Sequence, residues 1–589
     1  MAETLISPGV SLREQNIAFS QPIPVEAGAA FIGPTVKGNV EVPTTISSYG
    51  EYQRKFGTTF ESGSTTCEFL TSIAVKSYFE QGGNVAIITR VVSGSFTPAE
   101  STNITAKTGS ANPFKIETLG KGVIYNTSTG AAVAGAANSD GSLVSGSADN
   151  LRWEIANVNN TRGTFSLIVR RADDSTKNKI IVETFNNLSL DPNSENYIEK
   201  VIGNQSISKT TDGDSNVYVS TTGEYLNNSA YIRVSAVSRP TINYLLNDGV
   251  TVGRTPAGAS YSGSLPVAQS GSFHGATGTN FKTGSGSGSF AHFFDNIDDF
   301  NTQGIKATNY ADAISILNNP DEYKFKTIFT PGLIYEYGTH KTQIDSVISL
   351  AESRGDCIYV FDLVGKGTTV AETATNAGTV NSSYAATYWP WLQTQAATGK
   401  NEWIPASTVI GGVYAFTDGS SAPWYSPAGF IRGGIPNVIQ AERKLSRSDK
   451  DTLYAANVNP VATFPGQGIV IMGQKTLLKK ASSLDRVNVR RLVIELKDFI
   501  GKQANELIFE QNTNATRNKF LSNVNPYLEN VVQRQGLYSF NVVMDDTNNT
   551  ADVIDRNQLI GQIYIQPTKS VEYIMLDFIL EPTGATFNA

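Results

Sequence analysis

Histidine and cysteine are nearly missing from this chain of 589 residues, which has 3 of the first and 2 of the second. His274, His292 and His340 have no cysteine or carboxylate cluster beside them, so zinc-type ligand spacing is excluded and they read as loop or surface residues. Cys67 and Cys357 each lie in an apolar run, Cys67-Glu-Phe-Leu and Cys357-Ile-Tyr-Val, and two buried free thiols are expected in place of a disulfide. Excess positive charge is also absent. A formal charge of -7 argues against a nucleic-acid binder, whose phosphate contacts need a basic stripe. No apolar run is long enough to span a bilayer, and no charged segment followed by an apolar one opens the sequence. The expectation is a cytoplasm-compatible protein, neither secreted by a signal peptide nor stably inserted in a membrane.

The usual marks of catalysis are missing as well. Gly33-Pro-Thr-Val-Lys-Gly38 lacks the Gly-Lys-Ser/Thr end of a phosphate loop and reads as a proline turn. Asp212-Gly-Asp214 and Asp295-Asn-Ile-Asp-Asp-Phe300 do not fill a calcium loop and read as solvated turns. There is no Gly-x-Ser-x-Gly elbow and no Cys/His pairing. Carboxylates are abundant but none is singled out as a glycosidase pair. No enzyme activity, metal or cofactor is expected.

What is present is an arrangement of layers. Residues 29–32 form a small apolar strand. Thr65-x-x-Glu68 reads as a capping box opening a helix with Phe69, Leu70, Ile73, Ala74 and Ser77 inward, ended by Gly82-Gly83, and residues 84–92 follow as a strand. A second such unit has an alternating strand at 323–329, a helix opened by Thr342-x-x-Asp345 and stopped by Gly355, and a buried strand at 357–364. Strands interleaved with helices at this spacing predict a layered α/β core. Between the two units, residues 93–300 are rich in Gly, Ser, Thr and Asn with short strand-like runs, which predicts one or two inserted β-rich domains. Residues 284–289 are a flexible Gly/Ser loop by composition. Near the C-terminus, residues 487–510 step as one long helix. Residues 516–535 form a second, which Pro526 should kink or split.

Both ends are apolar and extended. Residues 571–580 place Ile574, Leu576, Phe578 and Leu580 on one strand face and Tyr573, Met575 and Ile579 on the other. A strand apolar on both faces must be covered on both, by its own domain or by a neighbouring subunit. The N-terminal stretch 5–12 repeats the theme around Pro8-Gly9, which points to an assembling protein.

Several phrases, in order along the chain, resemble the contractile-tail sheath proteins of bacteriophages. They are Ser7-Pro-Gly-Val10, Ala29-Ala-Phe-Ile-Gly33, Ile46-Ser-Ser-Tyr-Gly-Glu-Tyr-Gln-Arg-Lys-Phe-Gly57, Phe79-Glu-Gln-Gly-Gly83 and Asn187-Leu-Ser-Leu-Asp-Pro-Asn-Ser-Glu-Asn-Tyr-Ile198. Further on come Gly412-Val-Tyr-Ala415, Trp424-Tyr-Ser-Pro-Ala-Gly429, Asn459-Pro460, Phe464-Pro-Gly466, Gly473-Gln-Lys-Thr476, Val487-Asn-Val-Arg-Arg491, Phe509-Glu-Gln-Asn512 and Asp545-Asp-Thr-Asn-Asn549. Little is recognisable in residues 93–184 and 202–300.

The resemblance implies a structural subunit of the virion tail, assembled in the host bacterial cytoplasm. It would polymerise as hexameric rings around a tail tube protein, meet baseplate and tail terminator proteins, and contract to drive the tube through the host envelope. It implies a multidomain α/β protein with this division: 1–22 N-terminal linking arm, 23–92 and 301–480 the two parts of the core, 93–300 the inserted β-rich domains, 481–566 a C-terminal inner domain, 567–589 C-terminal linking arm. The N-terminal arm would use Leu5, Ile6, Val10 and Leu12, and the C-terminal arm Ile574, Leu576, Phe578 and Leu580, as strands added to neighbouring sheets. Arg517, Lys519 and Arg534 are the candidates for facing an acidic tube. Two alternatives stay open: the sheath of a phage-derived injection machine, and a host-surface glycan-binding or glycan-processing protein carried by the insertion. Trp389, Trp391, Trp403 and Trp424, which sugar stacking would need, fall in the expected core and read as packing residues.

Overall fold

Runs such as Ala27-Gly-Ala-Ala-Phe-Ile-Gly33 are apolar at nearly every position, which suits a strand covered on both faces. In the computed structural model, which describes residues 26–62, 65–123, 138–143, 149–214, 216–278 and 297–573, such runs build a sheet of eight strands. Its order is Thr44–Ile46, Ala86–Arg90, Ala27–Gly33, Phe325–Ile334, Ile358–Asp362, Ala385–Trp389, Asn459–Phe464 and Gly468–Ile471. The inner strands run parallel, and both edge strands are antiparallel to their neighbours.

Helices cover both faces. On one, Phe31 and Phe329 stack at 5.2 Å and pack with Ile73, Tyr78, Val409 and Ile410 from the helices Leu70–Glu80 and Ser407–Ser420. On the other, Ile32 and Ile328 meet Tyr310, Ile344 and Val347 from the helices Tyr310–Ile316 and Gly338–Arg354. Ile328 and Phe329 therefore point to opposite layers, and each such side chain contributes about 1.5–3 kcal/mol by leaving water. The alternation expected at 323–329 is overridden here, because Phe325–Ile334 is central and buried along nearly its whole length. Trp389, Trp391 and Trp424 are buried and Trp403 packs at the margin, as read from the sequence. Cys67 and Cys357 are buried free thiols.

Several local expectations are corrected. Thr65–Glu68 is a strand paired with Thr59–Ser62, not a cap. The helix begins at Leu70, whose N–H donates to Gln303 Oε1 at 2.8 Å, while Glu68 accepts from Ser72 Oγ and from Ala397 N. Thr342 lies inside Gly338–Arg354 and donates back to the Gly338 carbonyl, so this helix starts one turn earlier. Gly355, at φ 68, does end it. His340 is not a surface residue. It is 0% exposed and its Nδ1 accepts from Ile334 N at 3.2 Å.

The stretch between the two halves of the central sheet holds a second sheet of seven antiparallel strands, all within 98–274. Its core includes Trp153, Phe114, Phe165, Ile155 and Leu167. Phe114–Lys121 alternates buried and half-buried positions, as a strand with one covered face should. Arg90, at the end of a core strand, fastens the two sheets together: its Nη1 donates to the Gly38 carbonyl at 2.5 Å and to the Lys121 carbonyl at 2.8 Å.

A third layer is C-terminal. The helix Val487–Asn505 ends earlier than expected, and Phe509 just beyond it takes the left-handed φ of 70, which a helix cannot contain. The helix Asn514–Gln533 runs through Pro526 as one element and is not split. Leu492, Leu496, Phe520, Val524, Leu528 and Val531 form its core with Trp424. A hairpin of Leu537–Val543 and Gln562–Pro567 completes the layer.

Candidate functional site

The hairpin is a two-stranded sheet whose outer edges carry no ladder partner among the described residues. Asn549 closes its loop, donating to the carbonyls of Asp545 and Ile560 and accepting from Ile560 N at 2.8 Å. Tyr538 and Tyr564 project from it 66% and 57% exposed. Two open edges with exposed aromatics are a template for adding strands.

The chain leaves this hairpin under close restraint. Thr568 returns to the helix end, its N–H donating to the Gly536 carbonyl and its hydroxyl to the Gln535 carbonyl. Gln474 Nε2 then donates to Ser570 Oγ at 2.7 Å. Arg486 Nε and Nη2 donate to the two carboxylate oxygens of Glu572 at 2.6 and 3.0 Å. Partial burial would raise the Glu572 carboxyl, but hydrogen bonds from Arg486 and Tyr454 outweigh it and hold it below its ordinary value. Arg486 is also the residue before the helix Val487–Asn505, so the exit point is tied to the frame of the C-terminal layer.

That layer is itself locked to the core by the phrase Val487-Asn-Val-Arg-Arg491. Arg490 lays its guanidinium on Tyr384 at 3.9 Å and donates from Nε to the Ser383 carbonyl. Arg491 pairs with both oxygens of Asp418 on the helix Ser407–Ser420 at 2.5 Å. Asn459 stitches three segments, donating to the carbonyls of Thr387 and Lys475 and accepting from Lys475 N. Neither role was visible in the sequence, because each partner is far away along the chain.

The basic candidates of the Asn514–Gln533 region do not share one environment. Arg517 is 3% exposed and commits Nη1 to Asp546 at 2.6 Å. Arg534 lies over the Trp424 ring and donates to the Ser421 carbonyl, with its own carbonyl accepting from Trp424 Nε1. Lys519 stands exposed on the helix. Leu5, Ile6, Val10 and Leu12, and Ile574, Leu576, Phe578 and Leu580, lie outside the described residues. Among the described residues no group of His, Cys, Asp and Glu could hold a metal, and no helix is long and apolar enough to cross a membrane.

Comparison with known proteins bears on the same region. Residues 303–477 match the phage tail sheath protein central domain and residues 479–581 the phage tail sheath C-terminal domain. The tail sheath protein of Vibrio phage KVP40 is 45% identical over 188 residues, 32% of this chain and 28% of that protein. The tail sheath protein of Enterobacteria phage T4 is 36% identical over 268 residues, 42% of this chain and 41% of that protein. The matched parts thus span less than half the length of these relatives. The crystal structure of a sheath tail protein from Listeria innocua aligns with a TM-score of 0.51 over 92% of this chain and 96% of that one, at 9% identity, a likeness of fold alone.

Proposed function

This chain is a contractile-tail sheath protein by its two matched domains, and from that premise we propose that it polymerises as hexameric rings around a tail tube and contracts to drive the tube through the host envelope. The supporting observation is the pairing of an open-edged hairpin with a clamped exit: Leu537–Val543 and Gln562–Pro567 offer strand edges, and Arg486 fixes Glu572 where the C-terminal segment departs. A subunit that both offers an edge and projects a strand can be linked into a lattice by β-augmentation. Exposed apolar side chains in the same layer, Ile508, Phe509, Tyr538, Tyr564 and Tyr573, fit burial in such a lattice.

In this reading residues 1–22 and 567–589 are linking arms, the two parts of the α/β core carry the load, and the β-rich insertion faces outward. The body moves as a rigid unit while the arms stay joined. Lys519 is the foremost tube-facing candidate. Arg534 is a weaker one because it already holds Trp424, and Arg517 ranks last because its own side chain is buried and committed to Asp546. Baseplate and terminator proteins would cap the array, and assembly would take place in the host cytoplasm.

Negative-stain electron microscopy of the full-length protein beside a version ending at Ser570 tests this. Hollow tubes from the full-length protein alone are expected. Tubes from both would remove the arm from the account, and closed small oligomers or monomers from both would overturn the sheath reading for the whole chain.

A further inference from the structure

We propose that the groove at the exit of the C-terminal segment is a peptide-docking site, and that in the unassembled subunit its occupant is the same chain's residues 574–580, Ile-Met-Leu-Asp-Phe-Ile-Leu. The groove measures about 1020 Å³, and its walls include Trp424, Tyr425, Met472 and Tyr538. Two buried amide side chains line it, Gln474 and Asn488, which are 3% and 5% exposed. Each has spent its NH₂ group, on Ser570 Oγ and on the Trp424 carbonyl. Yet Gln474 Oε1 and Asn488 Oδ1 accept no hydrogen bond. Both oxygens are closed off behind the groove surface, so the wall that an extended peptide meets is the apolar one of Trp424, Tyr425, Met472 and Tyr538.

Charge selects the occupant. Arg432, Arg447, Lys450 and Lys569 outnumber Asp451 and Glu572 around the groove, and residues 574–580 bring one carboxylate, Asp577, and no Lys or Arg. Residues 1–25, the other outlying segment, carry the same side-chain charge of −1 from Glu3, Arg13 and Glu14 but would bring Arg13 to a basic rim. Path selects it too. Residues 571–573 already line the groove and Arg486 holds Glu572 there. The next residues are therefore delivered to it at a high effective concentration, whereas a second copy must first diffuse to it. Covering a strand that is apolar on both faces also keeps a dispersed subunit from aggregating through it. Assembly is then an exchange of this segment from its own groove to a neighbour's sheet, a form of domain swap. That last step alone rests on the sheath reading.

The test uses full-length dispersed subunits carrying benzoylphenylalanine in place of Phe578, with isotopically light and heavy protein mixed before irradiation. Crosslinks within one chain to groove residues such as Trp424, Met472 or Tyr538 are expected. The double variant Arg447→Glu with Lys450→Glu should lower their yield at least about fivefold. Crosslinks elsewhere on the body, or only between light and heavy chains, would overturn the proposal. Because the readout is taken before polymerisation, failure to form tubes counts against the sheath reading and not against the docking.

Discussion

Glu572 and Arg486 meet in a two-point pairing, 2.6 and 3.0 Å between guanidinium and carboxylate, and this pairing fastens the last described residues of the chain to the start of the helix Val487–Asn505. Both side chains keep some contact with solvent, so the pair adds only about 0–1 kcal/mol to folding. Its importance is positional. Arg486→Ala should leave the unfolding transition almost unchanged while making tryptic cleavage after Lys569 several-fold faster. Arg486→Lys should resemble it, because lysine keeps the charge and loses the planar fork. A cleavage rate equal to that of the parent protein would show that the pairing does not hold the segment.

Tyr538 and Tyr564 stand on a hairpin whose edges are open. Replacing both with lysine changes exposed positions, for which a shift within about 0.5 kcal/mol is usual, but puts charge where the proposed incoming strand would lie. The expected outcome is a normally folded subunit whose assembly into tubes, followed by sedimentation, is lost or shifted to much higher concentration. Unimpaired assembly would remove the hairpin as the receiving sheet.

The sequence carried the layers because hydrophobic period and length are local properties. The helices of the C-terminal layer and the strand Ile358–Asp362 could be read from their own residues. What escaped was everything decided by distant partners. Thr65 and Glu68 have the spacing of a cap, but the first N–H of that helix is taken by Gln303 from across the fold. His340 looked like a surface residue because nothing in its local sequence reports that it is fully buried, with its ring against Tyr337 and Nδ1 accepting from Ile334 N. Arg517 looked like part of a solvated face because Asp546 reaches it from the hairpin loop. The recognisable phrases around Asn459 and Arg491 proved to be buried polar stitches between layers, a role that no periodicity encodes.

Asp174 lies between Arg170 and Arg152 in the inserted sheet, at 2.6 and 3.2 Å, with side chains 0%, 1% and 4% exposed. Removing one partner of a buried ion pair leaves uncompensated charge and costs about 3–5 kcal/mol. Asp174→Ala should therefore lower the stability of the insertion by about that amount. Hydrogen exchange should show lost protection on the strands Leu151–Asn159 and Thr164–Arg171 while Phe325–Ile334 stays protected. Glu154 also accepts from Arg170 Nη1 at 2.6 Å, and unchanged exchange in the insertion would mean that this carboxylate compensates for the loss of Asp174.

Asp362 and His340 are buried titratable groups of the core that act in opposite senses. Burial pushes the Asp362 carboxyl up from 3.8 to about 7, against the pull of hydrogen bonds from the Ser407 N–H and hydroxyl. Burial pushes His340 down from 6.5 to about 4, against nearby Asp299 and Asp298. Between roughly pH 4 and 6.5 the folded chain holds a proton on Asp362 that the unfolded chain has released, which makes stability fall as pH rises. Over the same window the unfolded chain holds a proton on His340 that the folded chain lacks, which makes stability rise. The two slopes cancel in the parent protein. Asp362→Asn keeps the acceptor for the Ser407 N–H and removes one slope, so stability should rise with pH, relative to the parent, by up to about 1.4 kcal/mol per unit. His340→Gln should give the opposite sign. Denaturant midpoints of the core transition, followed by tryptophan fluorescence at pH 4.5, 5.5 and 6.5, read both slopes. Parallel curves for the parent and the two variants would mean that neither group changes its protonation on folding.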